Sequence, residues 1–270
     1  RTVFPQPAAR ERLDRLVGLD GHKRKLTKIL SLLVNPHGLQ RWRDTHHPRA
    51  GHLLNAVLNR PRLIVLAGDV GSGKTELAET IGDAVARQEG IEVILLPLSL
   101  SARGQGKVGE MTQLISAAFD FTVKEASALA SKDKTEGAVI LLVDEADALA
   151  QSREEADMHH ENVSGVNALI RGIDRLANAR LPAAVIMCTN RFDAIDPAVR
   201  RRAADILEFG RPDEDSRRAV LKPRLAELGF APPDIERIVG ATGPRDGLPG
   251  FTYSDLLQRL LPDLILDAYP

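Results

Sequence analysis

The sequence predicts an α/β fold: a parallel five-stranded sheet sandwiched by helices and followed by a small helical lid. Short apolar segments of strand length alternate with longer helical segments along the first part of the chain. The apolar segments are nearly continuous rather than alternating, which indicates strands that are covered on both faces. After residue 210 the strands stop, so we expect an α/β nucleotide-binding domain over residues 1–210 and a helical lid over residues 211–270.

Five apolar segments define the expected strands, and three longer segments define the helices between them. The strands are predicted at 62–68, 91–98, 138–145, 183–190 and 205–209, and the helices at 73–89, 109–130 and 161–178. In the lid, the Pro232-Pro233 pair and the glycine-rich stretch 241–250 separate further helices. Pro223 is expected to end or kink the first of these helices.

Composition restricts the class of protein. The chain has 270 residues, 43% of them hydrophobic, and a net charge of −1, which is typical of a globular protein and not of a general polyanion binder. Residues 1–62 nevertheless hold thirteen Lys and Arg against four Asp and Glu. This segment could touch nucleic acid, or it could be a basic flank that faces phosphates or an acidic neighbouring subunit.

A single cysteine, Cys188, excludes an intramolecular disulfide and indicates a reducing compartment. It lies in the apolar stretch AAVIMCTN, which favours a packed thiol over a nucleophile. The sequence has no signal peptide, transmembrane span or lipidation pattern, so we expect a cytoplasmic protein without a membrane partner.

Residues 68–75 read GDVGSGKT, between the first predicted strand and a helix. This is the phosphate-loop pattern, in which glycines let backbone N–H groups and a helix N-terminus surround phosphate oxygens. Lys74 is expected to reach the β- and γ-phosphates of ATP, and Thr75 to bind Mg²⁺. The predicted nucleotide-binding residues here are Asp69, Gly71, Ser72, Gly73, Lys74, Thr75 and Glu76.

Polar residues end the next two core strands. Asp144 follows the apolar stretch AVILLV and is expected to complete the Mg²⁺ sphere with Thr75, while Glu145 polarises the water that attacks the γ-phosphate. The alternative is an acidic pair that stabilises the start of a helix. Asn190 ends the following strand and either orients the same water or starts a turn.

Together, the phosphate loop, the Asp-Glu strand end, the Asn strand end and the arginines at 200–202 resemble the AAA+ ATPases. In LVGLDGHKRKL, Val17, Gly18 and Leu19 match that family's short adenine-contacting motif. The resemblance implies that an arginine before the fifth strand enters the nucleotide pocket of the neighbouring subunit in a closed ring. Arg201 and Arg202 are the first candidates and Arg200 is the third; a basic helix end that caps carbonyls is the alternative.

GVNALIRGIDRL and AAVIMCTNRFDAIDPAVRRRAADILEFGRP resemble the pachytene checkpoint protein 2 (thyroid hormone receptor interactor 13) family, in its bacterial type without an N-terminal adaptor domain. The resemblance implies a homo-oligomer, a hexamer, that uses ATP to unlatch HORMA-domain proteins. It also implies a role beside cyclic-nucleotide synthases in bacterial antiviral defence.

The sequence departs from the family at two places. Lys107 and Val108 occupy the first pore loop, where the family usually presents an aromatic residue to its protein client; a glycine-rich surface loop is the alternative. The lid helix reads Ser254-Asp255-Leu256 where the family has Ser-Gly-Arg. Arg259 could replace the missing arginine, or it could form a surface salt bridge.

Two other functions remain open at this stage. The basic N-terminal segment is compatible with a DNA-handling AAA+ ATPase of the clamp-loader or transposition-helper type, although no DNA-reading module is recognisable. A nucleotide-bound scaffold with little turnover would require Glu145 to be idle.

Overall fold

The computed structural model describes residues 1–49, 51–52, 57, 59–100, 109–130, 135–149 and 159–269. It confirms the α/β fold and all five predicted strands. The strands are β1 (Thr2–Phe4), β2 (Leu63–Gly68), β3 (Glu92–Ser99), β4 (Gly137–Asp144), β5 (Ala183–Thr189) and β6 (Ala203–Phe209). They form one sheet in the order β1-β3-β4-β5-β2-β6, in which β2 to β6 run parallel to one another.

The sheet has one strand more than the five predicted, because β1 pairs antiparallel with β3 at the edge. Three paired residues are too short to give a periodic signal in the sequence. Phe4 anchors this strand: its ring is 1% exposed and lies so close to Gly82 that a Cβ there would collide with it.

Helices cover both faces of the sheet. The helices that precede the lid are α1 (Pro7–Asp14), α2 (Asp20–Val34), α3 (Pro36–His46), α4 (Lys74–Glu89), α5 (Glu110–Leu129), α6 (His159–Asn178) and α7 (Pro197–Arg200). Side chains of α1, α2 and α4 pack in one hydrophobic cluster, and those of α5 and α6 pack in another. Alternate residues of one strand enter opposite clusters, as Ile64 and Val65 do, so the inner strands β2, β4 and β5 are buried on both sides.

Helices also form the lid. They are α8 (Glu214–Glu227), α9 (Pro232–Ala241) and α10 (Tyr253–Asp255), which continues through a π-helical turn (Leu256–Leu260) into α11 (Leu261–Ala268). A third hydrophobic cluster, which includes Leu221, Leu225 and Leu256, holds them together. α8 continues past Pro223, so this proline does not end the helix, and a kink there remains a prediction. Among the described residues, no helix has both the length and the apolar character needed to cross a membrane.

The strand order positions the candidate site. β2 lies beside β5, and β5 lies beside β4, all pointing the same way. Their carboxyl ends therefore meet at one edge, which brings the phosphate loop, the acidic pair after β4 and Asn190 after β5 to the same place.

Candidate active site

The phosphate loop has the backbone that its glycines predict. Gly71 and Gly73 have φ of 76° and 93°, in the region that favours glycine, and α4 begins directly after Gly73. The Lys74 side chain folds back into this loop, where its Nζ donates to the carbonyl oxygens of Gly68 (2.8 Å) and Asp69 (2.7 Å). The loop is thus a cradle of backbone groups around a buried cation, which fits a phosphate.

Burial lowers the pKa of Lys74, and the nearby carboxylates, including Asp144 and Asp147, partly oppose this effect. A lysine that has lost much of its hydration gains more from an anionic partner than an exposed one does. The charge of Lys74 is therefore best stabilised when phosphate oxygens approach.

Thr75 and Asp144 form a pair of oxygen donors at the start of α4. The Thr75 Oγ1 lies 3.3 Å from the Asp144 Oδ1. Burial is the main cause that raises the pKa of Asp144, although hydrogen bonds from the Glu145 N–H and Thr75 oppose it. A hydroxyl beside a desolvated carboxylate is a donor set that suits Mg²⁺, which would also stabilise the buried negative charge.

Glu145 has an unusual backbone conformation. Its φ of 57° lies in the left-handed region, which a residue with a side chain rarely adopts. The Asp144 carboxylate accepts the Glu145 N–H at 2.9 Å, and the Glu145 Oε2 accepts a hydrogen bond from the Ser99 Oγ at 2.6 Å. The turn thus holds the Glu145 carboxylate at the ends of β3 and β4, beside the cavity.

Asn190 is oriented by a residue that the sequence analysis missed. The Asp147 carboxylate accepts from the Asn190 N–H (2.8 Å), the Asn190 Nδ2 (3.3 Å) and the Thr189 Oγ1 (2.9 Å). Burial tends to raise the pKa of Asp147, but these hydrogen bonds outweigh it and the pKa is lowered. Asp147 is therefore an anion whose hydrogen bonds fix the Asn190 amide.

A cavity of about 580 Å³ brings these residues together. Its lining includes Gly71, Gly73, Lys74, Thr75, Glu76, Asp144, Glu145 and Asn190. Cys188 also lines it, but the thiol is buried and burial raises its pKa, so it remains a packed, protonated thiol as predicted.

The segment Val17–Leu19 lies between the phosphate loop and the lid. Leu19 is buried against Gly73, Val17 packs on the hydrophobic cluster of the lid, and Gly18, with φ of 74°, leaves no room for a Cβ beside Tyr253. The adjacent Leu16, which the sequence analysis did not select, lines the cavity directly. Leu16 thus forms part of the cavity wall, with Val17, Gly18 and Leu19 packed beside it, and the adenine contact of these three residues remains a prediction.

Glu76, which was predicted to bind the nucleotide, lies in the first turn of α4 and lines the cavity. Its carboxylate is held by Arg12 of α1, with distances of 2.7 and 2.8 Å, and Arg12 also donates to Glu79 at 2.6 Å. These carboxylates raise the pKa of Arg12. The side chain of Glu76 thus ties α1 to α4, and the part of Glu76 in nucleotide binding remains a prediction.

The lid offers a cation to the cavity, but not the one that sequence reasoning considered. Arg259 is mostly exposed and lies 3.4 Å from the Asp255 carboxylate, so the salt-bridge interpretation fits. Leu256, at the position of the family arginine, is fully buried in the lid. Arg224 of α8 lines the cavity instead. The sequence gives no signal for it, since it depends on how the lid packs on the loop.

The three adjacent arginines have three different environments. Arg200 donates to the carbonyls of Phe192 (3.0 Å) and Asp193 (2.7 Å) and lies over the Phe192 ring. Arg202 makes a paired contact with the Asp174 carboxylate at 2.8 and 3.0 Å. Arg201 is exposed, and its Nε contacts the Pro197 carbonyl at 3.3 Å. The described residues that line the cavity of this chain include none of the three.

Two predicted contacts cannot be placed. Lys107 and Val108, predicted to touch a protein client, lie outside the described residues. They follow Ser99 and Leu100 at the end of β3, the same strand that holds Glu145 through Ser99.

This fold and site define a class of ATP-hydrolysing proteins. The chain matches the ATPase family associated with various cellular activities (AAA) over residues 64–211, and it belongs to that family. It is therefore an ATPase, as predicted.

Within this class the chain belongs to the family of CD-NTase-associated protein 6. It is 62% identical to CD-NTase-associated protein 6 of Escherichia coli (strain MS 115-1), over all of this chain and 88% of that protein. A chain in the structure of the E. coli MS115-1 HORMA:CdnC:Trip13 complex is 61% identical, with a TM-score of 0.89 over 100% of this chain and 88% of that one. The structure of Rhizobiales Trip13 is 57% identical, with a TM-score of 0.75 over 100% and 90%. The resemblance to the thyroid hormone receptor interactor 13 family is thus confirmed.

Proposed function

We propose that this chain forms a hexameric ring that uses ATP to remodel a HORMA-domain protein in a bacterial cyclic-nucleotide defence system. The observation that carries the proposal is the likeness, at 61% identity and a TM-score of 0.89, to a chain solved in a HORMA:CdnC:Trip13 complex. In this ring, Lys107 and Val108 contact the client.

ATP and Mg²⁺ are the cofactors of the proposed reaction. Lys74 exchanges its loop carbonyls for the β- and γ-phosphates, while Thr75 and Asp144 hold Mg²⁺. When bound, Mg²⁺ neutralises charge on the phosphate oxygens. The support for these roles is the burial of Lys74 and Asp144, which removes much of the hydration of both groups.

Hydrolysis requires a base, a positioned water and a cation on the far side of the γ-phosphate. Glu145 polarises the attacking water, and the Asn190 amide orients it. Arg201, with Arg202 as the second candidate, reaches the pocket of the adjacent subunit. The support for Arg201 is its exposure, since Arg200 and Arg202 are held by groups of their own chain.

The Asp147→Asn variant tests the role of Asn190. An amide cannot accept all three hydrogen bonds that the carboxylate accepts, so Asn190 loses its fixed orientation. We expect kcat to fall about 10- to 100-fold with little change in the Kd for ATP, because misplacing a catalytic group affects the transition state more than binding. Steady-state kinetics and ATP titration measure both quantities. The exposed Asp193→Asn is the matched control, and an Asp147→Asn enzyme with unchanged kcat would contradict the assignment.

The remodelling activity is tested with purified HORMA partner. We expect the partner to stimulate ATP hydrolysis and, in the presence of ATP, to change its conformation as followed by amide hydrogen exchange. The Glu145→Gln variant should bind the HORMA partner without changing the partner's conformation. Absence of both stimulation and conformational change would remove this function.

The structure weakens the support for the DNA-handling alternative. Part of the basic N-terminal segment is neutralised within the chain: Arg12 by Glu76, Lys25 by Asp205, and Arg43 by Asp44. If DNA were the partner, it would stimulate the ATPase in a salt-dependent way. We expect no stimulation by duplex or single-stranded DNA at low salt.

A further inference from the structure

Asp69, the second residue of the phosphate loop, is bound to the connection between β6 and the lid. Arg211 lies in that connection, and its Nε donates to the Asp69 Oδ2 at 2.7 Å. A second nitrogen of the same guanidinium donates to the carbonyl of Gly250, just before α10. One side chain therefore links the phosphate loop, the connection and the lid.

The lid also contacts the backbone of the loop directly. The Ser254 N–H donates to the Gly71 carbonyl at 3.2 Å, and a Cβ at Gly71 would lie 2.6 Å from the Ser254 Cβ. Thr252 and Asp255 form a capping box that fixes the first turn of α10, where Ser254 lies. Gly71 is thus required both for the phosphate cradle and for close packing of the lid.

The connection itself is fixed to the start of the loop. Gly68 has φ of 151°, and a Cβ there would collide with the Phe209 carbonyl. Arg211 lies two residues beyond Phe209, so its position relative to the loop is set by backbone packing and not only by its salt bridge. Gly68 and Phe209 are also paired in the sheet, so the start of the loop and the start of the connection are held together.

The Asp69 carboxylate adds a negative charge to a loop that is proposed to receive a triphosphate, and like charges repel each other. Arg211 supplies the compensating positive charge, and with its bond to Gly250 it makes this compensation depend on the lid being docked. Asp69 also helps to keep Lys74 charged, and the backbone carbonyl of Asp69 accepts a hydrogen bond from the Lys74 Nζ. When Lys74 leaves that carbonyl for a phosphate, the backbone that carries Asp69 is the part of the loop that loses a contact.

From this arrangement we propose that Arg211 is a positioning residue that couples nucleotide occupancy of the phosphate loop to docking of the lid, with Asp69 as its partner in the loop. The inference rests on the proposed function, since it requires that the loop binds ATP. In this account Asp69 acts on the nucleotide through Arg211 rather than as a ligand, which refines its predicted role.

The test is a double-mutant cycle on Asp69→Asn and Arg211→Gln, read by ATP affinity and by hydrogen exchange of the lid amides at 250–256. We expect each single variant to weaken ATP binding at least about fivefold, as is typical of coupled sites. The double variant should bind ATP no more weakly than whichever single variant has the lower affinity. ATP should slow exchange at 250–256 in the parent protein and fail to do so in either variant. The exposed lid variant Arg245→Gln, whose partner is the adjacent Asp246, is the matched control and should behave as the parent.

Two outcomes overturn the coupling: additive effects of the two substitutions on ATP affinity, or full ATP-dependent protection of 250–256 in both variants. Asparagine is close in size to aspartate, so Asp69→Asn allows the coupling to be measured in a folded protein even if Arg211→Gln is unstable. A parent protein that binds no ATP would overturn the proposed function as well, whereas a parent that binds and hydrolyses ATP with uncoupled variants overturns only the role of Arg211.

Discussion

Replacing Arg201 with alanine is expected to lower ATP turnover by about 10³- to 10⁵-fold, the range for arginines that stabilise phosphoryl transfer. The physical reason is that a permanently charged, planar guanidinium neutralises the charge that develops on the γ-phosphate. ATP binding should change little, because Arg201 does not line the cavity of its own chain. Single-turnover hydrolysis and ATP titration separate the two effects.

The neighbouring arginines provide matched controls for this variant. Arg200→Ala removes the donor to three backbone carbonyls, those of Phe192, Asp193 and Ile195, so we expect a lower temperature of thermal unfolding. Arg202→Ala breaks the pair with Asp174 and should lower turnover less than Arg201→Ala. A larger loss of turnover in a folded Arg202→Ala protein would reassign the role to Arg202, the second candidate.

Replacing Glu145 with glutamine is expected to lower hydrolysis by about 10²- to 10⁴-fold, as for loss of a general base, while ATP stays bound. The amide is similar in size and can still contact Ser99, so the turn after β4 should be preserved. Nucleotide extracted from the purified variant and identified by chromatography should be ATP, whereas the parent protein should yield ADP.

Glu227→Gln, on an exposed part of α8, is the matched control for this loss of a carboxylate. It should hydrolyse ATP at the parental rate. Normal turnover in Glu145→Gln would instead support the scaffold interpretation, in which the carboxylate is idle.

Much of the fold and of the site could be predicted because the signals are local in sequence. The buried strands are contiguous apolar segments, and the phosphate loop is a short pattern between a strand and a helix. Asp144, Glu145 and Asn190 were found since each directly follows such a strand, and parallel strands place their carboxyl ends together.

Other features depend on contacts between distant parts of the chain. β1 has three paired residues and is stabilised by the packing of Phe4 on α4. A strand this short has no periodic pattern that would predict it from the sequence. Arg12 reaches Glu76 only because α1 packs on α4, and Arg224 reaches the cavity only because the lid docks on the loop. Asp147 had a weak local signal, an acid one helical turn after Asp144, but its role appears only with β5 beside it.

The central claim is that each active centre is shared between a subunit that binds ATP and an adjacent subunit that contributes Arg201. The most direct measurement mixes two inactive variants, Lys74→Ala and Arg201→Ala, after subunit exchange, and records ATP hydrolysis. Random assembly places an intact phosphate loop opposite an intact arginine at about one quarter of the interfaces, so the account predicts that activity reappears in the mixture. A mixture as inactive as its two components would contradict it.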